Sequence, residues 1–255
     1  NPCRSAGVTR IIHHISITII VTVMKKASIL LLVVLSFFVS HAQSMGEYRL
    51  KIGDFTELKV LDGLNIDYSS SADSAGYAVF TCAPSVASSF IFDRNNTKLT
   101  VRISADNPPT GPLPTVKLYS KYLIKAENNS DSTLRVMSVS MGPKFEGIVE
   151  GNGTLVARDI QANEIKLSLR LGHGQLVASG VCDKLSVKFV GTGVIQADAL
   201  KAQNVSINCS GTGSVGVWAV DKMSIFGMGS TAIYYKGHPE IKNRSVGPKL
   251  NPLAE

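Results

Sequence analysis

Beyond residue 42, apolar and polar side chains alternate over short runs, and helical periodicity is nearly absent. Alternating runs at 55–61, 64–68, 77–82, 99–103 and 116–123 predict strands. Asp62-Gly63, Asn95-Asn96 and residues 107–112 separate or bound them. Residues 86–92 fit either a strand or a short helical turn. The stretch 107–112 holds Pro108, Pro109 and Pro112 and cannot be regular structure. It predicts a seam between a strand-rich N-terminal portion (43–112) and a more regular part (113–238), with residues 239–255 as a C-terminal cap or tail. Asn128 to Ser132 forms a second polar break.

The regular part is a repeat. A G-x-G tripeptide recurs as Gly151-Asn152-Gly153, Gly172-His173-Gly174, Gly191-Thr192-Gly193, Gly211-Thr212-Gly213 and Gly227-Met228-Gly229, the first glycines lying 21, 19, 20 and 16 residues apart. Before three of these tripeptides the apolar residues alternate, as Leu185/Val187/Phe189, Val205/Ile207/Cys209 and Met223/Ile225. A second alternation follows, as Leu155/Ala157, Leu176/Ala178, Ile195/Ala197 and Val215/Val217. A period near 20 with two short strands per period predicts an all-β solenoid of stacked coils. Each coil would carry an inward aliphatic row on each strand and a glycine corner where φ > 0 is needed. The row Ile165/Leu167/Leu169/Leu171 runs one step out of phase, which predicts a one-residue bulge near Gly172. The short last period predicts a tapering end.

The chain has 255 residues and a formal net charge of +7. Met24-Lys25-Lys26, the apolar run 29–39 and Ser40-His41-Ala42 have the order of a secretory signal peptide, residues 24–42, cleaved after Ala42. Residues 1–23 read as translation upstream of the true start, or else residues 11–23 join the signal as a membrane anchor. An anchor would hold Lys25 and Lys26 in the bilayer at roughly 2.5–3.5 kcal/mol each, which disfavours it. Membrane contact is then expected only through the cleaved signal. Beyond residue 42, 22 Lys and Arg face 19 Asp and Glu without a basic stripe, so nucleic acid is not the expected partner.

Chemistry-bearing residues are sparse. Cys82, Cys182 and Cys209 have neither metal-ligand nor framework spacing, and whether any two of them pair is open. His173 and His238 are the mature chain's histidines, too few for a transition-metal cluster. Asp159, Asp183, Asp198 and Asp221 recur at uneven offsets of 8, 11, 7 and 10 from the preceding first glycine, which suits turn chemistry better than a carboxylate column. Gly211-Thr212-Gly213-Ser214-Val215-Gly216 matches a dinucleotide fingerprint, but no helix follows to receive a pyrophosphate. No catalytic, cofactor or metal residues are therefore expected. Trp218 and Tyr234, each seven residues after its first glycine and out of phase with the inward row, are the candidate ligand-binding pair. Consecutive coils would set them about 4.7–4.9 Å apart on an outer face. There they could stack on a sugar or anchor a partner protein, or else pack beneath the tail that covers the last edge.

Phe55-Thr56-Glu57-Leu58, Asp62-Gly63-Leu64-Asn65-Ile66, the glycine corners, and Met223-Ser224-Ile225-Phe226-Gly227-Met228-Gly229 with Tyr234-Tyr235-Lys236-Gly237-His238-Pro239 carry a resemblance. Over residues 49–250 the chain resembles the putative auto-transporter adhesin head, or head GIN, domain family of the Bacteroidetes. That resemblance implies a right-handed parallel β-helix with an irregular N-terminal portion, a periplasmic or cell-surface location, and an adhesive or scaffolding role. It brings no catalytic residues. Ser210-Gly211-Thr212-Gly213-Ser214 keeps the family's S-G-x-G-D/S repeat, whereas Glu150, Leu171, Val190 and Phe226 replace the serine elsewhere. The expected function is that of an exported, non-enzymatic binding module for a carbohydrate or an envelope protein. The alternatives are a periplasmic stress sensor or scaffold, and a polysaccharide-active enzyme.

Overall fold

The computed structural model describes residues 45–254; the signal peptide and the upstream segment read from the sequence lie outside them. The strands are β1 (Gly46–Lys51), β2 (Glu57–Leu61), β3 (Ile66–Ser70), β4 (Tyr77–Cys82), β5 (Phe90–Asn95), β6 (Lys98–Ile103), β7 (Val116–Ser120), β8 (Lys125–Asn129) and β9 (Thr133–Ser138). They continue as β10 (Gly142–Glu150), β11 (Thr154–Arg170), β12 (Gln175–Gly191), β13 (Val194–Gly211), β14 (Ser214–Gly229), β15 (Ala232–Lys236), β16 (Glu240–Val246) and β17 (Lys249–Pro252). One helical turn, α1 (Pro84–Ala87), precedes β5, so the ambiguous stretch 86–92 is part helix and part strand.

The coils stack in parallel, as the repeat predicts. Side one runs β6–β2–β8–β10 and on through the C-terminal halves of β11 to β14 to β16. Side two runs β7–β3–β9, then the N-terminal halves of β11 to β14, then β15 and β17. Aliphatic rows stack across the coils. On side one Leu167, Val187, Ile207 and Ile225 are successive partners, and on side two Leu134, Leu155, Leu176, Ile195, Val215 and Ile233 are, all buried. Each large aliphatic side chain taken out of water this way contributes roughly 1.5–3 kcal/mol.

The N-terminal portion departs from a simple irregular preface. The strands β2 and β3 form a solenoid coil laid between β6/β7 on one face and β8/β9 on the other. The proline-rich stretch is the loop between β6 and β7 of the end coil, with coils on both sides of it in the chain. The irregular strands are antiparallel ones: β5 closes on β6, β4 on β7, and β1 on β4. Together they cap the N-terminal edge, and Phe80 fills the cap, with ring centroids 5.1 Å from Phe90 and 5.3 Å from Tyr48. At the other end, residues 239–253 do not fold across the edge. They add a further parallel coil, β16/β17, whose strands carry Lys242, Arg244, Lys249 and Pro252, side chains that discourage pairing on an open edge.

The corners explain the uneven periods. Four residues, Leu171 to Gly174, turn between Arg170 and Gln175 where the neighbouring coils use three, so the extra residue sits where the bulge was expected. That residue is Leu171, with φ of 59° and a side chain in solvent rather than in the inward row. The last G-x-G does not stack on the others. Gly227 lies beside Cys209, and Gly229 lies beside Gly211. The last corner is therefore Gly229-Ser230-Thr231, where the buried Thr231 donates from Oγ1 to the Gly211 carbonyl at 2.9 Å. Partners here, such as Ser214 and Ala232, are eighteen residues apart rather than sixteen.

Cys82, Cys182 and Cys209 are all buried free thiols. Burial pushes each thiol up, and Cys182, with the Asp183 carboxylate adding to the effect, is pushed up to about 12. The thiolate is the reactive form. Iodoacetamide at pH 8 is therefore expected to leave folded protein of residues 43–255 unmodified and to add to its three thiols in guanidinium. Mass spectrometry of both samples checks this, and a native adduct or a disulfide contradicts it.

Candidate ligand-binding face

The face around Trp218 is built on side two, at the end of the solenoid remote from the cap. Val215, Val217 and Ala219 point inward and are buried, so Gly216 and Trp218 point outward. Parallel pairing places Lys201 on one flank of Trp218 and Lys236 on the other. Both ammonium groups lie over the indole, Lys201 Nζ at 5.4 Å and Lys236 Nζ at 5.8 Å from the ring centroid. Cation–π attraction of this kind orients the ring and the two lysines together. Lys236 Nζ also reaches Asp198 Oδ2 at 3.4 Å.

Tyr234 is not the direct neighbour of Trp218. Because the last coil spans eighteen residues, Tyr234 lies beside Gly216 and Trp218 lies beside Lys236. The two aromatics are diagonal neighbours on the same face, about 7–8 Å apart by sheet geometry rather than one strand spacing. Tyr234 is exposed and Trp218 half-buried. Neither lies under a covering tail, since β17 continues the sheet beside β15 with Asn251 next to Tyr234. Gly216 is flanked by Tyr234 on one strand and Gln196 on the other, and the Asp198 side chain packs over it, 3.5 Å from where a Cβ would stand.

Sequence reasoning singled out the two aromatics but not Lys201, Lys236, Asp198 or Gly216. The missing signal is register. Lys201 pairs with Trp218 only because Asp198-Ala199-Leu200 loops out of the ladder between Ala197 and Lys201. Asp159 and His173 sit at corners. Asp159 has φ of 53° at a corner and its N–H donates to Ser179 Oγ at 3.1 Å. His173 Nδ1 lies 2.6 Å from Thr192 Oγ1 on the exposed corner stack. Among the described residues no cluster of His, Cys, Asp and Glu could hold a metal ion.

With this geometry established, the chain can be placed among known proteins. It is an all-β solenoid, and residues 54–239 match the family described as putative auto-transporter adhesin, head GIN domain. The chain belongs to that family. Among solved structures it is similar to a putative adhesin from Bacteroides fragilis, with a TM-score of 0.71, 16% identity, and coverage of 83% of this chain and 97% of that one. A putative adhesin from Parabacteroides merdae gives 0.66 and 17%, covering 84% and 98%. A protein from Parabacteroides distasonis described as a putative lipid binding protein gives 0.60 and 22%, also covering 84% and 98%. At these identities the likeness carries the fold. Comparison with curated proteins finds no match.

Proposed function

We propose that the chain is an exported, non-catalytic binding module of the cell envelope, and that it holds a carbohydrate on the Trp218 face. The observation that carries this reading is the indole fixed between Lys201 and Lys236, with the exposed Tyr234 diagonally beside it. A ring held this way is already ordered, so a sugar packing against its solvent-facing edge need not immobilise it. Tyr234, Gln196 and Asp198 supply hydroxyl, amide and carboxylate groups for sugar hydroxyls. Export is supported by the charged, apolar and small-residue order of residues 24–42. The non-catalytic reading rests on the uneven spacing of the recurring aspartates, on the turn role of Asp159 and on membership of a putative adhesin family.

A glycan array probed with residues 43–255 tests this, beside a Trp218→Ala/Tyr234→Ala variant whose melting curve matches the parent. Glycan binding by the parent that the variant loses is the expected result. Binding retained by the variant, or absent from both, overturns it and turns attention to crosslinking for an envelope protein partner.

A further inference from the structure

The outward rows of side one change character along the solenoid. In parallel, in-register coils, equivalent residues stand about 4.7–4.9 Å apart, so like charges in one row repel and opposite charges compensate. Near the capped end the rows are compensated. One reads Lys98–Glu57–Lys125–Glu146–Lys166, alternating in sign. Beside it Glu127 is nearly buried, with Lys59 Nζ at 2.9 Å and Lys125 Nζ at 3.4 Å. Burial alone would raise the Glu127 carboxyl, but these two ammonium groups hold it below its usual value.

From β12 onward the strict alternation stops. The alternating row gives way to Ser186, Ser206 and Ser224. The parallel row reads Glu164–Lys184–Asn204–Lys222–Glu240, its acids at the two ends, and the next one Lys188–Asn208–Phe226–Arg244. Among the described residues, Lys184, Lys188, Lys222 and Arg244 form no ion pair, whereas Lys166 and Lys242 are held by Glu164 at 3.3 Å and Glu240 at 3.4 Å. Two adjoining depressions of about 370 and 400 Å³ lie over this region and share Ser206, Ser224 and Lys242. Phe226 stands in the wall of the second, 64% exposed.

We infer that this groove binds an acidic polysaccharide, one whose sugar rings carry carboxylates at intervals. The floor offers hydroxyls and amides to sugar hydroxyls, Phe226 offers a ring face for stacking, and the unpaired cations meet sparse carboxylates. Lys184 and Lys222 stand two coils apart, about 9–10 Å by strand spacing. Nucleic acid fits worse. Its charges come one per roughly 1.7 Å of duplex and would be pressed against Glu164 and Glu240 at the rim. A bilayer fits worse also, because the surface is concave and the carboxylates of Glu164 and Glu240 stand at its rim.

Calorimetric titration with an oligogalacturonate, its methyl ester, an oligothymidylate and phosphatidylglycerol vesicles tests the inference. The acidic sugar is expected to bind, to weaken as salt rises, and to bind at least about tenfold more tightly than the uncharged ester. Lys184→Gln/Lys222→Gln and Phe226→Ala, all at exposed positions, should each cost about tenfold with an unchanged melting temperature. Trp218→Ala/Tyr234→Ala should leave this binding intact, which separates the groove from the Trp218 face. No binding of the acidic sugar, equal binding of the ester, insensitivity to the groove variants, or preference for the oligonucleotide or the vesicles overturns it.

Discussion

Replacing Ile207 with Asp is expected to abolish the cooperative thermal transition of the protein. Ile207 is 1% exposed and stands in the side-one row between Val187 and Ile225, with inward neighbours Val205 and Cys209 along its strand. The substitution forfeits roughly 1.5–3 kcal/mol of apolar burial. It also places an unpaired polar group where no hydrogen-bonding partner is in reach, a further cost of roughly 2–7 kcal/mol even when the carboxyl is neutral. Set against a total stability of roughly 5–15 kcal/mol for a domain, that is enough to unfold it. Stacked coils gain stability from their neighbours, so breaking one coil also removes an interface from the coils above and below. Ser206→Asp is the control, one residue away in the chain but outward and exposed. It should hold its midpoint within a few degrees, as surface substitutions do. Circular dichroism melts decide the matter, and a cooperative Ile207→Asp melt near the parent's temperature would refute the stacked-row account.

The contrast between these two adjacent residues shows which features were legible in the sequence. Inward and outward positions on β12, β13 and β14 follow from period-two alternation, and the stacking of those strands follows from glycines spaced one coil apart. Both signals are local or strictly repetitive. The pairing of β2 with β6 and β8 is neither. Glu57 meets Lys98 and Lys125, and nothing near residue 57 records that its coil is flanked by two segments laid down later. The proline-rich loop therefore looked like a boundary, although it closes the corner of an end coil.

The site divides the same way. Trp218 and Tyr234 were visible as outward aromatics, but their relation depended on the length of the last coil, and there the sequence misleads. Gly227-Met228-Gly229 imitates a corner two residues early, while Thr231 does a corner glycine's work by bonding the Gly211 carbonyl. Counting from Gly227 put the aromatics side by side, and pairing from Gly229 sets them diagonally across Gly216. The cationic groove is harder still to see. Lys184, Lys222 and Arg244 come from separate coils and become one surface only once register is known.

Gly213→Ala is expected to destabilise the protein by about 1–3 kcal/mol, the usual cost of overpacking a closed site. The tight corners suggest glycine for its positive φ, and that holds at the first glycine of two corners, with φ of 107° at Gly151 and 137° at Gly191, but not at Gly211. Gly213 needs glycine for another reason, since its φ lies outside the left-handed region. A Cβ there would overlap the Gly193 carbonyl oxygen and the Phe189 ring. That oxygen cannot retreat, because it accepts the Ser214 N–H at 3.2 Å and so ties one corner to the next. Making room means lifting a coil away from its neighbour and lengthening the bonds on both sides of the corner. Gly151→Ala poses the opposite case, with strained φ but nothing within 4 Å of the added carbon, so its cost is backbone strain alone, of order 1 kcal/mol. For a chain of this size each kcal/mol lowers the midpoint by roughly 2–4 °C. Calorimetric melts of the two variants therefore separate close approach from dihedral strain. If Gly213→Ala melts with the parent, the corners are not in carbonyl contact, and the stack is looser than its hydrogen bonds require.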